Sequence, residues 1–268
     1  MSAVTSTSAS ATPSAPVRVH ALGGPTALVE YGGLRLLTDP TFDEPRRYPM
    51  GPDRYLEKTR PSALTPEQVG TVDAVLLSHD QHPDNLDLTG RQYLAEVPLV
   101  LTTASAAGRV GGPALALPLW ESHAVGDVTV TRVPALHGPE GCEPVVGEVA
   151  GFVLTGPGLP TVYISGDNAS VRVVREIADR FPPFDLALLF AGAARTPLIP
   201  DAPLTLTATD TVEAARILQA RHVVPLHCDS WAHFSESADD LRTAFAAADA
   251  DLTGRLTLLA PGESAELR

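Results

Sequence analysis

A chain of 268 residues is long enough to fold around one continuous core, and its 44% hydrophobic content includes no apolar run near 18 residues, which excludes a membrane-spanning helix. The formal charge of −13 opposes binding to phosphate backbones, which demand a basic surface, so the expected partner is a small molecule rather than nucleic acid or a membrane. Cys142 and Cys228 are the only cysteines, too few for a disulfide framework.

Residues 1 to 16 are almost wholly Ser, Thr, Ala and Pro and predict a disordered tail. They lack the basic start and apolar stretch of a secretory signal, so the expected location is the cytoplasm. Residues 17 to 268 read as one domain. Val17 to Leu22, Thr26 to Tyr31 and Leu34 to Thr38 are short β segments broken by glycine turns, an antiparallel meander. Asp39 to Thr65 follows neither regular period and reads as an ordered excursion near the site or a mobile lid. Further strands are expected at Ala74 to Ser78, Leu99 to Thr102, Val128 to Val133, Phe152 to Leu154, Thr161 to Ser165, Leu186 to Phe190, Val223 to Leu226 and Leu256 to Leu259. Helical stripes lie at Val171 to Ala178, at Val212 to Leu218 behind a Thr207 to Asp210 capping pattern, and at Leu241 to Ala248 behind Ser237 to Asp240. Strand runs followed by alternating strand and helix predict an α/β architecture, two mixed sheets with helices packed outside.

The histidines sit where these strands stop. Ala74 to Ser78 delivers His79, followed by His82, Asp84 and Asn85; Val128 to Val133 leads into His137; Thr161 to Ser165 delivers Asp167; Val223 to Leu226 delivers His227. A rigid sheet fixes groups at its strand ends while the following loop opens to solvent, so four such ends can converge on one point. His79, His82, Asp84, His137, Asp167 and His227 offer imidazole nitrogen and carboxylate oxygen without thiolate. That mix suits catalytic zinc first, with manganese or iron also compatible. Singly, each histidine reads as an ordinary core or surface residue; six such groups at four strand ends do not.

In this order the residues resemble the metallo-β-lactamase superfamily, whose pattern reads His-x-His-x-Asp-His, a distant His, an Asp after a strand and a final His. Gly23 to Thr26, Leu37 to Pro40 and Pro225 to Trp231 further resemble the L-ascorbate-6-phosphate lactonase-like group. The resemblance implies an αββα sandwich, with His79, His82 and His137 on a first divalent ion, Asp84 and His227 on a second, and Asp167 bridging. One extra residue separates His79 from His82, because the alternative register places Gln81 and Pro83 at ligand positions and proline offers no side-chain donor. Asn85 then stands where the family has its last histidine, a weak zinc ligand. One ion, or two with the second loosely held, is therefore the expectation.

The implied activity is metal-assisted hydrolysis of a small ester, lactone or phosphodiester, with Asp84 orienting water or accepting its proton. The alternative is a non-catalytic metal- or ligand-binding member of the same fold. Asp39 and Asp87 read either as acceptors that fix imidazole tautomers or as a turn residue and a helix cap. His20 and His222 read as structural, His123 and His233 as candidates to touch substrate, and Cys228 as a small buried residue.

Overall fold

The computed structural model describes residues 16–268; the expected tail lies outside the described residues except for Pro16. In chain order the chain forms β1 (Val17–Gly23), β2 (Thr26–Tyr31), β3 (Leu34–Thr38), β4 (Arg46–Gly51), β5 (Arg54–Lys58), α1 (Pro66–Val69), β6 (Ala74–Leu76), α2 (Leu88–Leu94), β7 (Val100–Thr102), α3 (Ala104–Val110), β8 (Ala114–Ala116) and β9 (Ser122–Val125). It continues with β10 (Val128–Pro134), α4 (Glu143–Val146), β11 (Ala150–Thr155), β12 (Val162–Ile164), α5 (Val171–Ala178), β13 (Leu186–Phe190), α6 (Ala208–Leu218), β14 (His222–Leu226), α7 (Ala238–Ala246), α8 (Ala250–Thr253) and β15 (Ser264–Leu267).

Two mixed sheets result. One has the order β15, β1, β2, β3, β6, β7, β8, antiparallel as far as β3 and parallel from there on. The other runs β14, β13, β12, β11, β10, β9, antiparallel from β9 to β12 and parallel from β12 to β14. The two-residue alternation of side chains explains how they stack. In β13, Leu186, Leu188 and Phe190 enter the core between the sheets, while Ala187 and Leu189 face the helices. In β6, Ala74 and Leu76 point inward and Val75 outward. Strands buried on both faces read as unbroken apolar runs, and each Val, Leu or Ile buried this way contributes about 1.5–3 kcal/mol.

Outside the second sheet, Val174 and Ile177 of α5, Leu218 of α6 and Phe245 of α7 cover Tyr163, Leu189 and Val223. Outside the first, Val69 of α1 and Leu94 of α2 cover Leu37, Val75 and Val100. The layers are thus helix, sheet, sheet, helix. Both expected capping patterns form as capping boxes, Thr207 with Asp210 and Ser237 with Asp240.

Within residues 39–65, β4 and β5 form an antiparallel hairpin, hidden in the sequence by Pro49, which an edge hairpin tolerates. One expected strand needs correction. Leu256 to Leu259 is no strand. It makes one parallel bridge, Leu256 to Val223, and then leaves the sheet edge; Leu258 and Leu259 are apolar because they pack on core clusters, not because they join a ladder. The last strand is instead β15, whose alternating Ser264 and Glu266 give it little apolar signal.

Candidate metal centre

The ends of β3, β6, β10, β12 and β14 place their following residues around one point. β10 and β12 both run antiparallel to β11, and β12 and β14 are parallel, so all three stop at the same end of their sheet. Two glycines allow the close approach. Gly166, at φ +56°, lies where a Cβ would sit 2.3 Å from the Ala150 carbonyl oxygen, so only glycine lets Asp167 follow β12 at this depth. Gly24 accepts a 2.8 Å hydrogen bond from the His227 backbone N–H, and His227 itself takes the left-handed conformation at φ 57°. A non-glycine residue in that region stores strain, a feature concentrated at functional sites.

Three imidazoles form the first group. His79 Nε2 lies 3.0 Å from His82 Nδ1, which lies 3.3 Å from His137 Nε2, and their ring centroids are 4.9–5.3 Å apart. Each outer ring is oriented from behind. His137 Nδ1–H donates to the Leu204 carbonyl at 2.7 Å, and His79 Nδ1–H donates to Ser78 Oγ at 2.9 Å, which in turn donates to Asp39 Oδ2 at 2.7 Å. These bonds leave both Nε2 lone pairs facing the centre. Burial lowers the His79 pKa well below its ordinary value and, with the neighbouring His137, lowers that of His82 to about 4. Neutral imidazole is the form that binds metal.

The second group is anionic. Asp167 splits its oxygens: Oδ2 faces His137 Nε2 at 3.5 Å and His79 Nε2 at 4.0 Å, while Oδ1 faces His227 Nε2 at 3.4 Å. Asp84 Oδ2 also lies 3.4 Å from His227 Nε2 and 3.0 Å from His233 Nε2. Burial works to raise the pKa of Asp84, but His233 and His227 hold it well below the usual carboxylate range. Burial likewise opposes ionisation of Asp167, and His227 and His137 override it. Burial would lower the pKa of His227, yet Asp167 and Asp84 push it up to about 10.

Asn85 is fully buried between these groups. Its amide nitrogen donates to Asp167 Oδ1 at 3.2 Å and Asp39 Oδ2 at 3.3 Å, so nitrogen rather than oxygen faces the shared carboxylate. Buried atoms without a hydrogen-bond partner collect here: Asp84 Oδ1, Asn85 Oδ1, His233 Nδ1 and both ring nitrogens of His227. Buried polar groups are ordinarily satisfied, so this concentration marks a place built for an additional species. His79, His82, His137 and Asp167 form one set of donors within 4.8 Å of one another, and Asp84, Asp167 and His227 form another. The two sets share Asp167. Imidazole nitrogen and carboxylate oxygen at these spacings fit divalent ions.

His79, His82, Asp84, Asn85, His137, Asp167, His227 and His233 come together at this centre, whereas His20 pairs with Glu30 and His222 with the Arg268 carbonyl. His123 sits on β9 opposite Val130 and does not line the cavity. His82 and Asp84, rather than Gln81 and Pro83, face the centre. Asp39 lies behind Ser78, and burial raises its pKa to about 7 despite the donors from Ser78 and Asn85. Asp87 caps α2 through Gly90 N at 2.8 Å and pairs with buried Lys58 at 3.0 Å. Cys228 is half-buried beside Ala191 and Leu241.

The cavity above the centre, about 280 Å³, reaches His82, Asp84, His137 and His233 at its floor and has Met50, Leu56, Val146 and Leu204 among its walls, with Arg54 and Arg195 also lining it. Met50, Arg54 and Leu56 belong to the 39–65 segment expected near the site, whereas Val146, Arg195 and Leu204 carried no signal in the sequence. The β4–β5 hairpin supplies one side and is pinned by bonds from Thr59 N to Ser230 O at 2.8 Å and Ala232 N to Glu57 O at 3.0 Å. The Leu204 carbonyl that orients His137 was invisible in principle, because a backbone oxygen has no sequence identity.

Residues 34–228 match the beta-lactamase superfamily domain. A UPF0173 metal-dependent hydrolase of Pelotomaculum thermopropionicum is 30% identical over 203 residues, covering 73% of this chain and 82% of that protein. The isothiocyanate hydrolase from Delia radicum gut bacteria superimposes with a TM-score of 0.79 at 24% identity, covering 92% of this chain and 98% of the other. A metallo hydrolase from the archaeon Ignicoccus hospitalis superimposes with a TM-score of 0.70 at 17% identity, covering 94% and 99%. These likenesses agree with the layered architecture, and the matched domain spans every strand from β3 to β14. The chain belongs to the beta-lactamase superfamily.

Proposed function

We propose that this chain is a metal-dependent hydrolase of a small ester, lactone or phosphodiester, with His79, His82 and His137 holding one divalent ion, Asp84 and His227 a second, and Asp167 shared between them. The observation that supports the reading most is the split of the Asp167 carboxylate between the three imidazoles on one side and His227 on the other. Zinc is the ion that the nitrogen-rich first set favours. When bound, the ions supply the Lewis acidity that makes water a nucleophile at neutral pH, lowering its pKa from about 15.7 toward about 7, and polarise the substrate oxygen.

The chain's own residues do the rest. Asp84 stays ionised beside His227 and His233, and its buried, unpartnered Oδ1 is the atom available to orient a water and accept its proton. Met50, Leu56 and Leu204 give the substrate an apolar wall that excludes bulk water, while Arg54 and Arg195 offer cationic donors to a carbonyl or phosphoryl group. The lactone option draws on the Gly23 to Thr26, Leu37 to Pro40 and Pro225 to Trp231 segments, which resemble the ascorbate-6-phosphate lactonase-like group.

A panel of lactones, aryl esters, thioesters, phosphodiesters and isothiocyanates, assayed with zinc, manganese and iron, tests the proposal. Turnover of one ester-like class that is abolished by Asp84→Ala is expected. A fully loaded protein inactive on every class would favour the non-catalytic, ligand-binding alternative.

A further inference from the structure

We infer that His233 is an additional protein ligand of the second ion position, joining Asp84, Asp167 and His227. This rests on the metal-binding part of the proposed function, not on its substrate. The second set has three donors where the first has four, and Asn85, the neighbouring polar side chain, turns its amide nitrogen toward Asp167 and so presents no lone pair there. His233 lies on the open side of the same set. Its Nε2 is 3.0 Å from Asp84 Oδ2, the oxygen that also meets His227 Nε2 at 3.4 Å, so two imidazole nitrogens and one carboxylate oxygen already crowd together.

Spacing also says how His233 must differ from the others. The His227 and His233 ring centroids are 6.4 Å apart, compared with 4.9–5.3 Å within the three-imidazole group, so ligation draws the His233 ring toward His227. The surroundings permit it. The ring lines the cavity rather than the core, keeps 14% of its surface exposed, and its Nδ1 has no hydrogen-bond partner that would be lost in moving. The segment carrying it is held at its base, by Thr59 N to Ser230 O and Ala232 N to Glu57 O, which fixes the backbone from which the ring reaches. His233 is thus a ligand recruited by the ion, whereas the first three imidazoles stand ready.

Cobalt(II) titration of the metal-free full chain tests this, read by native mass spectrometry, by the visible d–d bands and by proton NMR. The unmodified chain is expected to take two cobalt ions. His233→Ala and His233→Gln should each keep the first and bind the second at least about 100-fold more weakly, beyond the 10–100-fold typical of residues that only orient a ligand. Retention of the first ion serves as the folding control within the same sample. On the unmodified chain, the second equivalent should add contact-shifted imidazole signals from two rings, His227 and His233. Two ions held with unchanged affinity in both variants, or a second equivalent that shifts one ring only, would overturn the inference. An unmodified chain that binds no cobalt would overturn the metal-binding reading with it. Two bound ions without turnover on any substrate would overturn the catalytic reading alone and leave the ligand assignment supported.

Discussion

The two halves of the centre are built on opposite principles. In the His79, His82 and His137 group, the outer imidazoles are oriented by groups behind them, Ser78 with Asp39 for His79 and the Leu204 carbonyl for His137, and burial keeps His79 and His82 neutral. In the Asp84, Asp167 and His227 group, no hydrogen bond holds His227 through Nδ1, and two buried carboxylates converge on its Nε2, which holds the ring in its charged form. The difference teaches that preorganisation and charge demand are separable: one half presents oriented neutral imidazoles, and in the other His227 balances two carboxylates. Unequal affinities follow, with the first ion tight and the second weaker.

The most severe test of that contrast is Asp167→Ala, which removes the one residue common to both halves. Metal content measured by inductively coupled plasma mass spectrometry is expected to fall from two ions toward none, with activity lost; Asp39→Ala, which acts through Ser78 and Asn85 rather than on an ion, should cost far less, about 10–100-fold in affinity for the first ion. Equal effects would erase the distinction between holding the ion and orienting its ligand. Next in size, His79→Ala and His137→Ala should each strip the tight ion, since the three-imidazole set is then incomplete. Full metal in both would contradict the assignment. Ser78→Ala should weaken the first ion by about 10-fold and leave the second unchanged, which sharpens the comparison by touching one half only.

The smallest expected effect separates the halves by protons. His227 is held protonated up to about pH 10 by Asp167 and Asp84, so at pH 8 the second equivalent of metal should release about one proton as the ring gives up its charge. His79 and His82 are already neutral at that pH, so they should release none with the first equivalent. Raising the pH through 10 should remove the second release, because the ring is then neutral before metal arrives. Calorimetry in two buffers of different ionisation enthalpy reads both steps; equal release from the two would mean that the halves do not differ in charge.

Much of this was legible in the sequence. Strands buried on both faces, such as β13, announce themselves as apolar runs, and the polar residues that end β6, β12 and β14 are conspicuous because they interrupt such runs. The two capped helices were readable because a capping box is local. The β4–β5 hairpin was not, since its residues face a cavity and solvent rather than a core and so carry no clean period. Asp39 and Asp87 illustrate the same limit at the site. Either could have been a cap or a tautomer-fixing acceptor; Asp87 caps α2, whereas Asp39 reaches His79 through Ser78, and only the fold decides which. The contact between His233 and Asp84 spans 149 positions and depends on the course of two loops, so spacing could not reveal it.

The central claim is that two unequal ion positions share Asp167. Crystals of the zinc-loaded full chain, measured with anomalous diffraction on both sides of the zinc absorption edge, test it most directly. Two peaks are expected, one at high occupancy among His79, His82 and His137 and one at lower occupancy among Asp84, Asp167 and His227, with Asp167 reaching both. A single peak on the carboxylate side, or zinc bound only elsewhere on the molecule, would contradict the account.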